Sequence, residues 1–534
     1  MIETIRMLVA LLAVLAVVAL LAVRLKIPAS ILLVLVGIGL TLLPGLPTVQ
    51  LAPEIMLLLV LPPLVYSASV AMSWREFRFN LRPISLLAIG CVLFTTWVTA
   101  AAAHWVLGLS WSLGALLGAI VSPPDSIAPL AIARRMRLPR RILVILEGEG
   151  LADDATALIL YRFAVVAVSA GAFSVRHAVG SFLGVLAGEV LWGIAVGWLM
   201  LRLRRWVREP RVEITLSLIT PYLAYWPPEH LGGSGVLATV TAGLYISWNG
   251  LRLISAATRL QGVFFWGFLI YLIEGLVFLV TGLQARSLVA GIDGYSAWDL
   301  LDWAALISVV VILARFVWIY PATYVPRWLS ASLRRRDPSP PWQFPFVLAF
   351  TGVRGVVSLA AALAIPLTTD TGRAFPERNL IVFLTFAVIL VTLVGQGLAL
   401  PAVIRWLGLA SAGDDERTQE REAEYHARRE GARAALQRLE QIQQQQNIES
   451  EQVRSLRQRH LGRLAHAEQR IDGDPMHREL SRREEAIEAL LIEAERGRIN
   501  DLYRDGELKD EPRRRIEREL DLRDAQLENL REEP

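Results

Sequence analysis

The chain has 534 residues, 54% of them hydrophobic, and a positive mean hydropathy. That excludes an ordinary soluble protein of this size. Residues 411–534 hold 24 Lys+Arg against 31 Asp+Glu, which leaves 54 − 24 = 30 basic and 50 − 31 = 19 acidic residues in the first 410. Charged residues are thus 49 of 410 before that point and 55 of 124 after it, so a boundary is placed near Ala410. The single cysteine, Cys91, excludes an internal disulfide and a cysteine-based metal site. The basic residues of the first part fall in short loops with no aromatic–basic platform, so nucleic acid is not expected as a partner.

Stretches of about 17 or more mostly apolar residues read as membrane helices. Thirteen occur, at 5–24, 27–45, 51–71, 83–107, 111–134, 141–171, 177–201, 212–227, 232–248, 262–283, 298–320, 343–366 and 379–406. The first is read as a retained helix, because its apolar run is too long for a signal peptide and Arg24 and Lys26 occupy the cleavage region. With the N-terminus outside, the inside loops hold 21 Lys/Arg and the outside segments five. The positive-inside rule then predicts a cytoplasmic charged tail after an odd number of crossings.

The fifth stretch reads "LGALLGAIVSPPDSIAPLAIA", and Pro123, Pro124 and Pro129 remove three backbone donors near mid-membrane. Freed carbonyls cannot face lipid, so a break is expected that is buried or lines a cavity. The twelfth reads "FVLAFTGVRGVVSLAAALAIP", where Gly352 and Gly355 flank Arg354 and mark a second break. The two lie seven helices apart. This spacing suggests two inverted six-helix repeats joined by the seventh helix, with the broken pair at the transport site.

The apolar segments bury Asp125, Glu147, Glu149, Asp153, Asp154 and Glu274, six acids, against Arg354. A charge at a helix centre costs at least about 2.5–3.5 kcal/mol on insertion scales, so a surplus of acids implies a function. Asp154 lies about 20 Å from its helix start at 1.5 Å per residue. Glu149 and Asp153 share a face at i, i+4, and Asp153 adjoins Asp154 as a possible coupled pair. Acids beside open carbonyls suit a cation or protons. Arg162 and Arg315 are placed near helix ends and expected to snorkel or pair locally.

The motifs "VSPPDSIAPLAIARRMRLPRRILVILEGEGLADDATALILYR", "LPPLVYSAS", "EGLVFLVTGLQ", "FTGVRGVVSLAAALAIP" and "TLVGQGLALP" follow one another over about residues 10–410. In this combination they resemble the monovalent cation:proton antiporters, the sodium/proton exchangers. The resemblance implies a thirteen-helix fold with crossed broken helices, homodimerisation and elevator-like alternating access. It assigns cation and proton binding to Asp154 and Asp125, with Asp153 beside them. Backbone carbonyls near Pro123 and Pro124 complete the shell for Na+ or K+, and Arg354 pairs with Glu149, with Glu274 helping to hold it. Two positions depart from the family's G-E-S-x-x-N-D pattern: Gly150 stands for Ser, removing a hydroxyl, and Asp153 stands for Asn. The Asp–Asp pair resembles the electrogenic branch and the Arg354–Glu149 pair the electroneutral one, so stoichiometry stays open.

The tail, 411–534, shows mixed-sign charge at helical spacing and a glutamine run, Gln443–Gln446, and reads as a helical cytoplasmic domain. Expected, then, is an all-α polytopic protein of the plasma membrane: a transmembrane antiporter domain, 1–410, and the tail. It would exchange H+ for Na+, K+ or Li+ in pH and cation homeostasis, with no cofactor beyond the transported ions. A cation channel or a non-transporting sensor on the same scaffold is the alternative. An intramembrane aspartyl protease is disfavoured, because neither G-x-G-D nor Y-D motifs occur at these acids.

Overall fold

The computed structural model describes residues 2–42, 56–170, 175–207, 209–250, 253–290, 294–369, 372–446, 451–472 and 475–531. Among these, the regular structure is helical apart from one isolated bridge between Thr368 and Ala374. The chain divides into two units, Met1–Gly413 and Asp414–Pro534.

In the first unit the helices of eight residues or more are α1 (Ile2–Leu25), α2 (Ala29–Thr41), α3 (Met56–Ala71), α4 (Leu81–Leu107), α5 (Trp111–Val121), α6 (Ile127–Arg135) and α7 (Arg140–Ala170). They continue as α8 (Val175–Arg204), α9 (Pro210–His230), α10 (Val236–Asn249), α11 (Ala256–Leu283), α12 (Ala297–Leu329), α13 (Gln343–Phe350), α14 (Val356–Leu363) and α15 (Arg378–Leu407). Every predicted apolar stretch falls on one of these helices or on one of the pairs α5/α6 and α13/α14. The predicted ends at 43–45, 51–55 and 171 lie outside the described residues. Among the described residues, six helices are long and apolar enough to cross a membrane by length and composition, and their lipid-compatible surfaces carry exposed Leu, Val, Phe and Trp side chains.

Close packing comes from small residues. Gly114 and Gly118, one turn apart on α5, face α4 so tightly that a Cβ at Gly118 would lie 2.9 Å from Thr96 Cα. Gly37 on α2 and Gly282 on α11 meet in the same way, a Cβ on either lying 2.9 Å from the other's Cα. Lipid is as apolar as a leucine side chain, so such contacts between helices rest on van der Waals approach rather than on the hydrophobic effect. Some buried polar groups are satisfied by neighbouring helix ends. The Glu189 carboxylate on α8, for example, accepts from the amides of Ser234 (2.6 Å) and Leu237 (3.2 Å) and so caps the start of α10.

One predicted helix end moves far, and two helices carry an internal irregularity. α12 runs on through Pro321 and Pro326 to Leu329, nine residues past the predicted end at 320. A proline ends a helix only when the freed carbonyl and the ring clash are not accommodated. The extension puts Arg315 in the body of the helix, not at its end. α4 and α15 each contain a π turn, Leu86–Cys91 and Val391–Gln396. Such single-turn insertions are frequent at functional sites.

The second unit holds α16 (Leu409–Gln446, which starts in the first unit), α17 (Glu451–Asp472), α18 (Pro475–Arg504) and α19 (Asp510–Arg531). Pairs such as Arg433–Glu468 (2.9 Å) and Arg496–Asp521 (2.9 Å) link its helices, and Arg513 stacks 4.2 Å over the Tyr503 ring. These exposed pairs contribute roughly 0.2–1 kcal/mol each.

Candidate transport site at the crossed broken helices

The two breaks cross. α5 ends at Val121, the chain passes through Ser122–Pro123–Pro124–Asp125, and α6 begins at Ile127. α13 ends at Phe350, and α14 begins at Val356 after an extended Gly355. The Asp125 amide donates to the Val353 carbonyl at 2.6 Å, which joins one break to the other.

Each crossing partner supplies one charge to the four helix ends that meet there. Asp125 Oδ1 accepts from the Ile127 amide at 2.9 Å, at the N-terminus of α6, and the Val356 amide at the N-terminus of α14 also bonds to this carboxylate. A Cβ at Gly355 would overlap the Asp125 carboxylate, so glycine is required for that approach. Arg354 serves the opposite ends. Its Nε donates to Val121 O (2.9 Å), Nη2 to Ser122 O (3.3 Å) and Nη1 to Gly352 O, all at the C-terminal ends of α5 and α13. A helix end carries about half an elementary charge. One carboxylate therefore offsets two N-termini, and one guanidinium two C-termini. The Arg354 amide is held by Thr392 Oγ1 (2.9 Å), a hydroxyl that itself donates to Val388 O (2.8 Å) where α15 enters its π turn.

This arrangement corrects the expected ion pair. Glu149 is held by Arg315, not by Arg354: Nη1 and Nη2 reach Oε1 and Oε2 at 2.5 and 2.7 Å, with side chains 1% and 2% exposed. Arg354 has backbone carbonyls instead. Arg315 lies in the body of α12, where it meets Glu149 of α7. Arg315 Nε also donates to Leu348 O (3.0 Å), which ties α12 to both α7 and α13. Glu274, expected to help hold Arg354, lines the cavity described next. Arg162 pairs with Glu229 on α9.

A cavity of about 470 Å³ lies against the crossing. Its walls come from α3, α6, α7, α11, α14 and the first break, and include Pro123, Pro124, Asp125, Ser126, Gly150, Asp154, Glu274 and Gly355. It reaches Arg134, Arg140 and Glu147 at one end, where the Arg134 side chain is 60% exposed and bonds Glu147 at 2.6 Å. Glu147 is therefore a residue of the mouth. Arg140 pairs with Glu76 beside it (2.8 Å).

The two adjacent aspartates part company. Asp154 lines the cavity, whereas Asp153 is fully buried and absent from its walls. Neighbours on a helix point about 100° apart, so a single cavity takes one of them. Asp153 Oδ1 accepts from the Asp154 amide (2.8 Å), while its Oδ2 is buried without a partner. Asp153 as a cavity ligand is thereby corrected. Among the described residues, no arginine or lysine pairs with Asp154 or Glu274. Since Asp125 is offset by two helix ends, these two are the cavity's surplus acids. Sequence reasoning did not find Arg315 as the partner of Glu149, nor Thr392 or Ser126 at the site.

Crossed half-helices whose facing ends are neutralised in place, beside a cavity lined by a carboxylate with no cationic partner, define a secondary transporter for small cations. The model of the family described as sodium/hydrogen exchanger, transmembrane, matches residues 9–406. The chain belongs to that family. An uncharacterised Na+/H+ exchanger of Mycobacterium tuberculosis is 34% identical over 97% of this chain and 95% of its own length. A sodium, potassium, lithium and rubidium/H+ antiporter of Bacillus subtilis is 32% identical over 70% of this chain and 57% of its own. The sodium/proton antiporter MjNhaP1 of Methanocaldococcus jannaschii superposes with a TM-score of 0.61 at 19% identity, over 76% of this chain and 99% of that one; this likeness concerns the fold. The protein is accordingly a multi-pass, secondary active cation/proton antiporter.

Proposed function

We propose that Asp154 carries the exchange, holding a monovalent cation or a proton but not both, and releasing one as it takes the other. The observation behind this reading is its position: Asp154 lines a 470 Å³ cavity, and among the described residues no arginine or lysine pairs with it. Dehydrating a carboxylate without a partner is costly, so a bound cation or a proton must supply what the protein does not. Competition for one carboxylate couples the two fluxes without a separate gate. Asp125 and the carbonyls at Pro123 and Pro124 stand beside it as further oxygens, of the hard type that Na+, K+ and Li+ take. The Bacillus subtilis relative's name supports a cargo of Na+ with K+ and Li+ as further candidates.

In this reading the protein lies in the plasma membrane, N-terminus outside and tail in the cytoplasm, as a homodimer. Loop charge supports that orientation. The cavity mouth at Arg134 and Arg140 then opens inward, and elevator-like movement of the crossed helices would carry Asp154 to the other side. The test is Asp154→Asn in everted vesicles loaded with a pH-sensitive dye. Na+-driven dequenching is expected to vanish, while undiminished dequenching refutes the assignment.

A further inference from the structure

We propose that the Ser126 hydroxyl is a direct ligand of the transported cation, and that Gly150 is glycine in order to admit it. This deepens the reading of Asp154 as the exchange site and rests on it.

Ser126 occupies the N-cap position of α6, where a serine hydroxyl ordinarily accepts a bond from an amide in the first helical turn. Here the hydroxyl makes no such bond; the neighbouring Asp125 accepts from Ile127 instead. The Ser126 side chain turns across to α7 and lies against Gly150. A Cβ built at Gly150 would collide with Ser126 Oγ and would stand 2.8 Å from Ser126 Cβ. Gly150 precedes Asp154 by four residues, so both lie on one face of α7. Ser126, Gly150 and Asp154 all line the same cavity. A neutral hydroxyl oxygen is thus delivered from the first break to the α7 face that carries the exchange carboxylate, with its capping duty taken over by Asp125. Hydroxyl and carboxylate oxygens together suit a small hard cation. The hydroxyl that the exchanger pattern places on α7 at position 150 arrives here from the opposite wall.

The test uses the full-length protein in everted vesicles and in purified form. Ser126→Ala is expected to raise the apparent KM for Na+ roughly three- to tenfold, the effect of losing one neutral polar contact, with Vmax nearly kept. Ser126→Thr, which retains the hydroxyl, is expected to restore KM. Gly150→Ala, which removes no ligand, should raise KM because its methyl displaces the hydroxyl. Ser126→Gly combined with Gly150→Ser, which moves the hydroxyl to α7, should recover most of the loss. Thermal stabilisation of purified protein by added NaCl, relative to choline chloride, should follow the same order and reports on binding where a variant transports poorly. Wild-type KM and Na+ stabilisation in Ser126→Ala overturn the inference, as does a Thr variant no better than the Ala variant. Retained exchange in Asp154→Asn overturns instead the reading on which it rests.

Discussion

Arg315 and Glu149 form a two-bond ion pair, 2.5 and 2.7 Å, between residues 166 positions apart and both almost wholly buried. Removing one member leaves the other's charge dry and uncompensated, a cost of about 3–5 kcal/mol. Arg315→Ala and Glu149→Gln are each expected to lower the melting temperature of the purified protein sharply. Arg315→Lys should not rescue, because a point charge cannot make the paired contact. The double variant should lose far less than the sum of the singles. Additive losses would show that the two side chains do not bear on each other.

Arg354 acts through the carbonyls of Val121, Ser122 and Gly352. In a double-mutant cycle, Arg354→Gln and Glu149→Gln should therefore couple clearly less than Arg315→Ala and Glu149→Gln do. Arg354→Gln should still reduce transport at least tenfold, by leaving two helix C-termini without a cation. A strong Arg354–Glu149 coupling in thermal melts would restore the pairing expected from sequence.

Gly355 admits the Asp125 carboxylate to the start of α14. Gly355→Ala is expected to abolish Na+-driven proton flux while expression persists, because the added methyl expels Asp125 from both helix N-termini. Gly39, against which nothing packs within 4 Å, supplies the control: Gly39→Ala should transport normally. Equal transport by both variants would contradict the crossing geometry.

Asp337 lies outside the membrane-spanning segments, between Arg82 (2.7 Å), Arg141 (2.8 Å) and Arg327 (2.8 Å). Burial pushes its carboxyl up, but the Arg141 and Arg327 guanidinia outweigh burial and hold it below the usual carboxylate range. A group whose folded value is depressed stabilises above its unfolded value, near 3.8, and that contribution is lost as pH falls through the lower folded value. Asp337→Asn should therefore destabilise by roughly 1–3 kcal/mol at neutral pH. The gap in melting temperature from wild type should close as pH is lowered through and below the carboxylate range. A gap independent of pH would assign the loss to packing.

What the sequence disclosed follows from which forces act locally. The break at Pro123 and Pro124 is visible because proline deletes donors wherever it stands, and that at Gly352–Gly355 because a glycine-flanked arginine does not suit a lipid-spanning helix. The acids were visible because charge is expensive there. Partner choice was not visible. The reach of α12 past Pro321 depends on neighbours that accommodate the prolines, and Arg315 meets Glu149 only once α12 and α7 are packed together. The rotation of α7, which turns Asp154 into the cavity and Asp153 away, is set by packing on several other helices. The loss of a hydroxyl at Gly150 was legible, but its replacement by Ser126 appears only when α6 and α7 are side by side.

The most direct measurement compares three purified proteins in proteoliposomes under an imposed Na+ gradient with the membrane voltage clamped: wild type, Asp153→Asn and Asp154→Asn. Asparagine at 153 keeps an oxygen for the Asp154 amide, so proton flux should persist there, whereas asparagine at 154 should abolish it. Proton flux driven by Na+ through the Asp154→Asn protein, or its complete loss in a well-folded Asp153→Asn protein, would contradict the claim that one cavity-facing carboxylate performs the exchange.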